Sequence, residues 1–283
     1  MSIPRFALIP VMDHEIHVTE WGDPSGRPLV MWHGLARTGR DFDELAAALS
    51  DRYFVICPDT IGRGLSSWST NPEAEYSVEY YAGIATDLLD HYGFASADWL
   101  GTSLGGLIGM RIASGPQADR LSSLIINDIG PEIPQAAIDR IVTYVSDPPE
   151  FATVSAAEAW LRAVYRPFGP APDGYWRRMA RTSLRRLDSG KLALHYDPRI
   201  TVQFTASRAE LTSWDRYARI KTPCHVIRGR TSDLLTTDIL DLMRQRGPRP
   251  DTTEIDCGHA PSLVTPEGAD LIRSILHRLR SDG

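Results

Sequence analysis

Asp98-Trp99-Leu100-Gly101-Thr102-Ser103-Leu104-Gly105-Gly106 carries apolar residues on its leading side and continues beyond Gly106 with apolar residues at helical spacing. This pattern predicts a strand, a tight turn and a helix. Ser103 lies at the apex of a G-x-S-x-G pattern. Such a turn lifts a serine hydroxyl clear of the backbone, and only small residues fit two positions to either side. It also directs the Leu104 N–H and the helix N-terminus toward the place where an oxyanion would form.

The composition is that of an ordinary globular protein. The 283 residues are 42% hydrophobic and 23% charged, which fits one large α/β domain or two smaller ones. The net charge of −6 gives no indication of a nucleic-acid or anionic-membrane partner. No apolar run approaches the length of about 20 residues that a transmembrane helix needs.

The cysteines and the N-terminus predict a cytoplasmic protein. Cys57, Cys224 and Cys257 are too few for a disulfide framework in a chain of this length. The segment Met1–Arg5 lacks the charged start and the long apolar stretch of a signal peptide.

Buried strands and helices alternate along much of the chain. Short apolar runs such as Leu29–Trp32 are typical of strands that are covered on both faces of a parallel sheet. Strands are predicted at 6–9, 16–21, 29–32, 53–57, 98–102, 121–127, 224–227 and 252–256, and helices at 41–49, 78–91, 234–246 and 266–279. The order predicts an α/β protein with a mostly parallel, doubly wound sheet.

The alternation breaks between residues 131 and 213. This segment contains helical stretches rich in Ala, Arg, Tyr and Trp, separated by prolines and glycines, and shows no clear buried strand. It predicts a helical insertion after the sixth strand. The predicted core domain is therefore 1–130 with 214–283, and the insertion is 131–213.

A serine at such a turn needs a base, and the base needs an orienting acid. Both should lie on loops at the carboxyl ends of strands, where Ser103 also lies. Two loops qualify. One spans 228–233 and ends in Asp233, and the other spans 257–261 and contains His259.

Taken together, these motifs resemble the α/β-hydrolase superfamily over essentially the whole chain. The matching residues are His33-Gly34, Asp59-x-x-Gly62-x-Gly64, Gly101-x-Ser103-x-Gly105, Gly229-x-x-x-Asp233 and Gly258-His259-x-Pro261. The resemblance implies that Ser103 is the nucleophile, His259 the general base and then acid, and Asp233 the orienting carboxylate. It also implies an oxyanion hole formed by the backbone N–H groups of Leu35 and Leu104, with no cofactor and no metal.

A second carboxylate competes for the acid role. Some members of this superfamily place the acid after the strand that ends here at Asn127, so Asp128 is the alternative. Asp233 is preferred because Gly229-x-x-x-Asp233 follows the expected strand. His33 is expected to be structural, since its loop supplies the Leu35 N–H.

The insertion falls where this superfamily carries a helical cap over the active site, so Trp160 and Tyr165 are candidate substrate-binding residues. Arg37 is a candidate contact for a substrate carboxylate, because arginine binds carboxylates bidentately. The cap is also rich in arginine, and Arg177, Arg181 and Arg185 recur at helical spacing. A solvated basic face is the preferred interpretation of that cluster.

The resemblance implies a serine hydrolase that cleaves small-molecule carboxylic esters of small or medium acyl groups through an acyl-enzyme. The same triad also serves carbon–carbon bond hydrolysis of diketones and hydrolysis of lactones or amides. A non-catalytic ligand-binding member is disfavoured because serine, histidine and acid are all present. The sequence leaves the oligomeric state open.

Overall fold

The computed structural model describes residues 3–206 and 208–281, and an eight-stranded, mostly parallel sheet runs through it. Residues 1, 2, 207, 282 and 283, which belong to the predicted domain ranges and in part to the segment Met1–Arg5, lie outside the described residues. The strands are β1 (Arg5–Val11), β2 (His14–Trp21), β3 (Arg27–Trp32), β4 (Tyr53–Pro58), β5 (Ala97–Thr102), β6 (Leu121–Asn127), β7 (Leu184–Arg186), β8 (Leu192–Leu194), β9 (Cys224–Gly229) and β10 (Asp251–Ile255).

The sheet order is β1-β2-β4-β3-β5-β6-β9-β10. β1 pairs with β2, and β2 with β4, in antiparallel fashion, and the pairings from β4 to β10 are parallel. The parallel strands therefore end at one edge of the sheet, where the loops after β3, β5, β6, β9 and β10 meet. The predicted sheet is confirmed.

Helices cover both faces of this sheet. They are α1 (Asp43–Leu49), α2 (Pro72–Glu75), α3 (Val78–His91), α4 (Leu104–Ala113), α5 (Gln135–Val145), α6 (Val154–Val164), α7 (Asp173–Thr182), α8 (Gln203–Ala206), α9 (Trp214–Tyr217), α10 (Thr237–Gln245) and α11 (Pro266–Ser281). Side chains alternate between two apolar cores. Val30 and Trp32 of β3 pack with α3 and α4, whereas Leu29 and Met31 pack with α1 and α11. Within the described ranges, no helix combines the length and apolar character that a membrane crossing requires.

The segment between β6 and β9 is mainly helical, as predicted, but it also contains a short hairpin. β7 and β8 pair in antiparallel fashion, with Leu184 opposite Leu194. The sequence shows no clear buried strand here, because three-residue strands are too short to show an alternating pattern, and the hairpin was therefore not predicted. Arg185 lies in β7, so it does not share a helix with Arg177 and Arg181 of α7.

Two buried tryptophans pack against the turn between β5 and α4. The rings of Trp32 and Trp99 are fully buried and stacked, with centroids 5.4 Å apart. The Trp99 indole N–H donates to the Gly105 carbonyl oxygen at 3.0 Å. The first turn of α4 is thereby tied to the core of the sheet.

Ser103 adopts a strained backbone conformation at the apex of this turn, with φ 52° and ψ −111°. A Cβ on Gly105 would lie 2.1 Å from the Trp32 carbonyl oxygen, and a Cβ on Gly101 would lie 2.1 Å from the Gly105 carbonyl oxygen. Both obstacles are backbone atoms that cannot rotate away. The glycine requirement predicted from the sequence follows from these two contacts.

We predict that Gly105→Ala destabilises the fold by about 1–3 kcal/mol or more, because the methyl group forces the backbone of α4 away from β3. Gly174→Ala is the matched control, since a Cβ at Gly174 in α7 meets no heavy atom within 4 Å. It should raise the stability by up to about 1 kcal/mol. Urea unfolding measures both. Equal stability of the two variants would contradict the proposed close approach.

The loop after β3 is oriented by His33, which is buried. The Thr60 N–H donates to His33 Nε2 at 2.9 Å, so the proton lies on Nδ1, which donates to the Gly34 carbonyl oxygen at 2.7 Å. The Arg37 N–H donates to the same carbonyl. Because a trans peptide directs its carbonyl and its N–H to opposite sides, the Leu35 N–H points away from this anchored carbonyl. His33 is structural, as predicted.

Burial lowers the pKa of His33 to about 4, although Asp59 acts in the opposite direction. The unfolded chain takes up this proton below about pH 6.5, and the folded protein does so only near pH 4. The protonation of His33 should therefore lower the free energy of unfolding by about 3 kcal/mol as the pH is lowered from 6.5 to about 4. Nitrogen NMR should show a neutral, Nδ1-protonated imidazole at pH 5.5, while urea-unfolded protein titrates near 6.5. A native titration near 6.5 would contradict this.

Candidate active site

Three side chains from three loops form a hydrogen-bonded chain at the carboxyl edge of the sheet. Ser103 Oγ lies 3.1 Å from His259 Nε2, and His259 Nδ1 lies 2.7 Å from Asp128 Oδ2. Because a carboxylate only accepts, His259 carries its proton on Nδ1 and leaves Nε2 free to accept from the serine hydroxyl. This is the geometry of a nucleophile, a base and an orienting acid.

Asp128 directly follows β6 and is fully buried. Its φ of 62° is a left-handed conformation that Asp tolerates better than most residues. Oδ1 accepts from the Gly229 N–H at 2.6 Å, and Oδ2 accepts from the Ser232 hydroxyl at 2.6 Å as well as from His259. These donors replace the water that a buried carboxylate loses.

The structure corrects the prediction that Asp233 orients the histidine. Asp233 is half-exposed and forms a bidentate ion pair with Arg140 of α5, at 2.8 and 3.0 Å. The neighbouring Ser232 turns toward Asp128 instead. The alternative acid, Asp128, therefore faces His259, whereas Asp233 lines the cavity and pairs with Arg140.

The predicted oxyanion donors lie in two segments next to Ser103. Leu104 is the first residue of α4, so its N–H has no partner within the helix. The loop after β3 passes beside the serine, since a Cβ on Gly34 would lie 3.6 Å from Ser103 Cβ. Among the hydrogen bonds between described residues, none uses the N–H of Leu35 or of Leu104. Both groups are available to a ligand oxygen.

A cavity of about 580 Å³ opens over Ser103 and His259. Its walls come from the core loops and from the cap segment, and most of the cap residues are apolar or aromatic. Lining residues from the cap are Arg140, Ile141, Tyr144, Val145, Val164, Tyr165, Pro167, Phe168 and Tyr175. Residues of the insertion thus line the cavity over Ser103, and Arg140 and Tyr144 are lining residues that the sequence did not indicate.

Arg37 lines this cavity but is already paired. Its guanidinium donates to Asp41 through Nε at 2.8 Å and Nη2 at 2.6 Å, and it lies 4.8 Å from the ring centre of Tyr165. Burial opposes its charge, but the Asp41 carboxylate outweighs burial and raises the pKa of Arg37. Arg37 is therefore a permanent cation, held in place inside the cavity wall.

The other two predicted substrate contacts differ in their positions. Tyr165 is buried and lines the cavity beneath Arg37. Trp160 lies on α6 with its ring 5.8 Å from that of Phe151, outside the set of cavity-lining residues. Trp160 thus packs the cap rather than the cavity. Across the described part of the chain, no three His, Cys, Asp or Glu side chains cluster in a way that could hold a metal ion.

Comparisons with known proteins agree with this architecture. The model of the alpha/beta hydrolase family matches residues 29–269. The chain is 38% identical over 278 residues to a 3-hydroxybutyrate-oligomer hydrolase of Cupriavidus necator, which covers 93% of this chain and 94% of that protein. It is 26% identical over 254 residues to a 2-(acetamidomethylene)succinate hydrolase of Mesorhizobium japonicum, covering 89% of this chain and 87% of that protein.

The fold also matches a solved structure. The crystal structure of an alpha/beta hydrolase from Novosphingobium aromaticivorans aligns with a TM-score of 0.84 and 29% identity, over 98% of this chain and 99% of that chain. With a family model that spans most of the chain and a relative that is similar from end to end, this protein belongs to the alpha/beta hydrolase family.

Proposed function

We propose that this protein is a serine hydrolase that cleaves carboxylic esters of small hydroxy acids through an acyl-enzyme. The observation that carries the proposal is the continuous chain from Ser103 Oγ through His259 to Asp128, with distances of 3.1 and 2.7 Å, at the base of the capped cavity. The buried position of Asp128 and its donors keep His259 in one tautomer and orientation.

In the first half-reaction, Ser103 Oγ attacks the ester carbonyl carbon while its proton passes to His259 Nε2. The N–H groups of Leu35 and Leu104 stabilise the resulting oxyanion. The bond to the alcohol oxygen then breaks, and the His259 proton passes to that oxygen, so a neutral alcohol leaves. Asp128 stabilises the imidazolium that exists between these two proton transfers.

In the second half-reaction, water attacks the acyl-enzyme carbonyl carbon and gives its proton to His259 Nε2. The Ser103 ester bond breaks, and the same proton returns to Ser103 Oγ. The products are the carboxylic acid and the resting enzyme. None of these steps uses a cofactor.

We also propose a cytoplasmic location, because the chain has only three cysteines.

The relatives support small acids as the substrate class. The name of the relative with 38% identity specifies oligomers of 3-hydroxybutyrate, which are linear esters with a hydroxyl at one end and a carboxylate at the other. A cavity of about 580 Å³ with mainly apolar walls suits a short oligomer of this kind.

Hydrolysis of another carbonyl compound is the second candidate. The relative with 26% identity is named for an acetamido-substituted succinate, which carries an amide. The same serine, base and oxyanion donors would act on an amide carbonyl. Ester cleavage is preferred because the identity to the oligomer hydrolase is higher and its coverage is greater.

We predict that Asp128→Asn lowers kcat for p-nitrophenyl butyrate by about 10³- to 10⁴-fold, because the amide no longer stabilises the imidazolium. Asp233→Asn removes the other candidate carboxylate. It should lower kcat by less than about tenfold, because Asp233 pairs with Arg140 and not with His259. Circular dichroism checks that both variants are folded. A larger loss in Asp233→Asn than in Asp128→Asn would reverse the assignment.

The proposed reaction is tested with the linear dimer of 3-hydroxybutyrate and p-nitrophenyl esters from acetate to decanoate. We expect release of monomer from the dimer, a rate that falls as the p-nitrophenyl acyl chain lengthens, and loss of turnover in Ser103→Ala. An alkyl phosphonate should label the wild-type serine and leave Ser103→Ala unlabelled. Unchanged turnover in Ser103→Ala would refute the serine mechanism, and phosphonate labelling without ester turnover would favour the amide.

A further inference from the structure

An ion pair in the cavity wall connects the cap to the core. Arg140 of α5 donates to Asp233, on the loop after β9, through Nε at 2.8 Å and Nη2 at 3.0 Å. Both side chains line the cavity that contains Ser103, and they are 48% and 52% exposed. Water therefore reaches this pair, so it marks the solvent-facing part of the cavity.

The cavity contains two arginines, and their surroundings differ. The Arg37 side chain is 5% exposed and its partner Asp41 is 14% exposed, so separating them would leave an uncompensated buried charge. The exposed Arg140–Asp233 pair contributes little to stability, and water can solvate either partner after separation. Exchange of one carboxylate for another is therefore easy at Arg140 and costly at Arg37.

We infer that Arg140 recognises a free carboxylate on the substrate and that Asp233 occupies Arg140 in the empty enzyme, as a competitor that the substrate displaces. This inference rests on the proposed function and specifies its substrate class as esters that carry a carboxylate. The exchange conserves the bidentate, charge-assisted hydrogen bonds of Arg140. Asp233 returns to water without burying a charge.

The surroundings of Arg140 suit this role. Tyr144 lies one helical turn further along α5 and lines the same cavity, so its hydroxyl lies on the same helix face as Arg140. Tyrosine is protonated at neutral pH, and burial raises the pKa of Tyr144 further, so its hydroxyl can act as a donor. The Ser232 hydroxyl donates a hydrogen bond to Asp128. Displacement of Asp233 therefore leaves this hydrogen bond, which fixes the loop after β9, in place.

The chemistry of a hydroxy-acid oligomer indicates which end Arg140 binds. When the last ester bond of such an oligomer is cleaved, the carboxylate lies on the alcohol half, which leaves in the first half-reaction. With the ester carbonyl at Ser103, the carboxylate would extend toward the exposed part of the same cavity, where Arg140 lies. Arg140 would thus select the carboxyl-terminal ester bond and release one monomer at a time.

The test uses two substrates that differ only in charge. One is the linear 3-hydroxybutyrate dimer with its free carboxylate, and the other is the same dimer capped as the neutral carboxamide. The readout is the kcat/KM for the acid dimer divided by the kcat/KM for the carboxamide dimer. Arg140→Gln should lower this ratio about tenfold through a higher KM for the acid, whereas Asp233→Asn should raise it about threefold through a lower KM, because the competitor is gone.

Arg244→Gln is the matched control. Arg244 pairs with Asp241 at 2.9 Å with similar exposure, 40% and 51%, away from the cavity-lining residues. The ratio should not change in this variant. The opposite signs expected for Arg140→Gln and Asp233→Asn also distinguish recognition from loss of folding. Equal effects of Arg140→Gln on both dimers, or a lower ratio in Asp233→Asn, would overturn the inference.

Binding separates this inference from the proposed reaction. In a Ser103→Ala background, calorimetry should give a dissociation constant for the acid dimer that rises about tenfold with Arg140→Gln and falls with Asp233→Asn. Such binding without turnover in the wild type would refute the proposed ester cleavage and leave carboxylate recognition standing. Failure of the acid dimer to bind more tightly than the carboxamide would refute the recognition, whether or not the esters are hydrolysed.

Discussion

Two backbone contacts without room for a side chain determine the position of the serine. Gly105 lies against the Trp32 carbonyl oxygen of β3, and Gly101 lies against the Gly105 carbonyl oxygen. Because these approaches are so close, α4 begins directly at the end of β5 and Ser103 is forced to a φ of 52°. This backbone strain is confined to the turn. The stacked tryptophans and the hydrogen bond from Trp99 to Gly105 keep the turn in its strained conformation. The serine is thus presented by a rigid sheet edge.

The buried carboxylate of Asp128 organises the opposite side of the site. A fully buried carboxylate is tolerated only where donors surround it, and here they come from the end of β9, the loop that follows it and the histidine loop. The Ser232 hydroxyl accepts from the backbone N–H groups of Leu234 and Leu235, so its own proton is left for Asp128. The acid therefore fixes two loops as well as one imidazole. Within the described residues, the hydrogen bonds of Asp233 go to Arg140, and its side chain is 52% exposed, so it does not tie the loops together in this way.

Much of the fold was predictable from local pattern, and the acid was not. The observed bounds of α3 and β6 are those predicted, because capping and apolar runs are visible in sequence. Asp128 follows β6 and Asp233 lies on the loop after β9. Because these two strands are neighbours in the sheet, the sequence pattern alone places both carboxylates near His259. What separates them is burial and donor supply, which depend on tertiary packing. Arg140 was missed for a similar reason, since only docking of the cap shows which face of α5 meets the cavity.

The cap also contributes to the geometry of His259. The Gly258 N–H donates to the Pro167 carbonyl oxygen at 2.7 Å, and the Ser262 N–H donates to the Phe168 carbonyl oxygen at 3.1 Å. From the core side, the Asn127 amide holds the Pro261 carbonyl oxygen at 2.9 Å. The histidine loop is thus held between the cap and the sheet edge. We therefore expect changes in the cap at 166–168 to shift His259 and to alter kcat, whereas the proposed role of Arg140 would make changes on α5 alter substrate affinity.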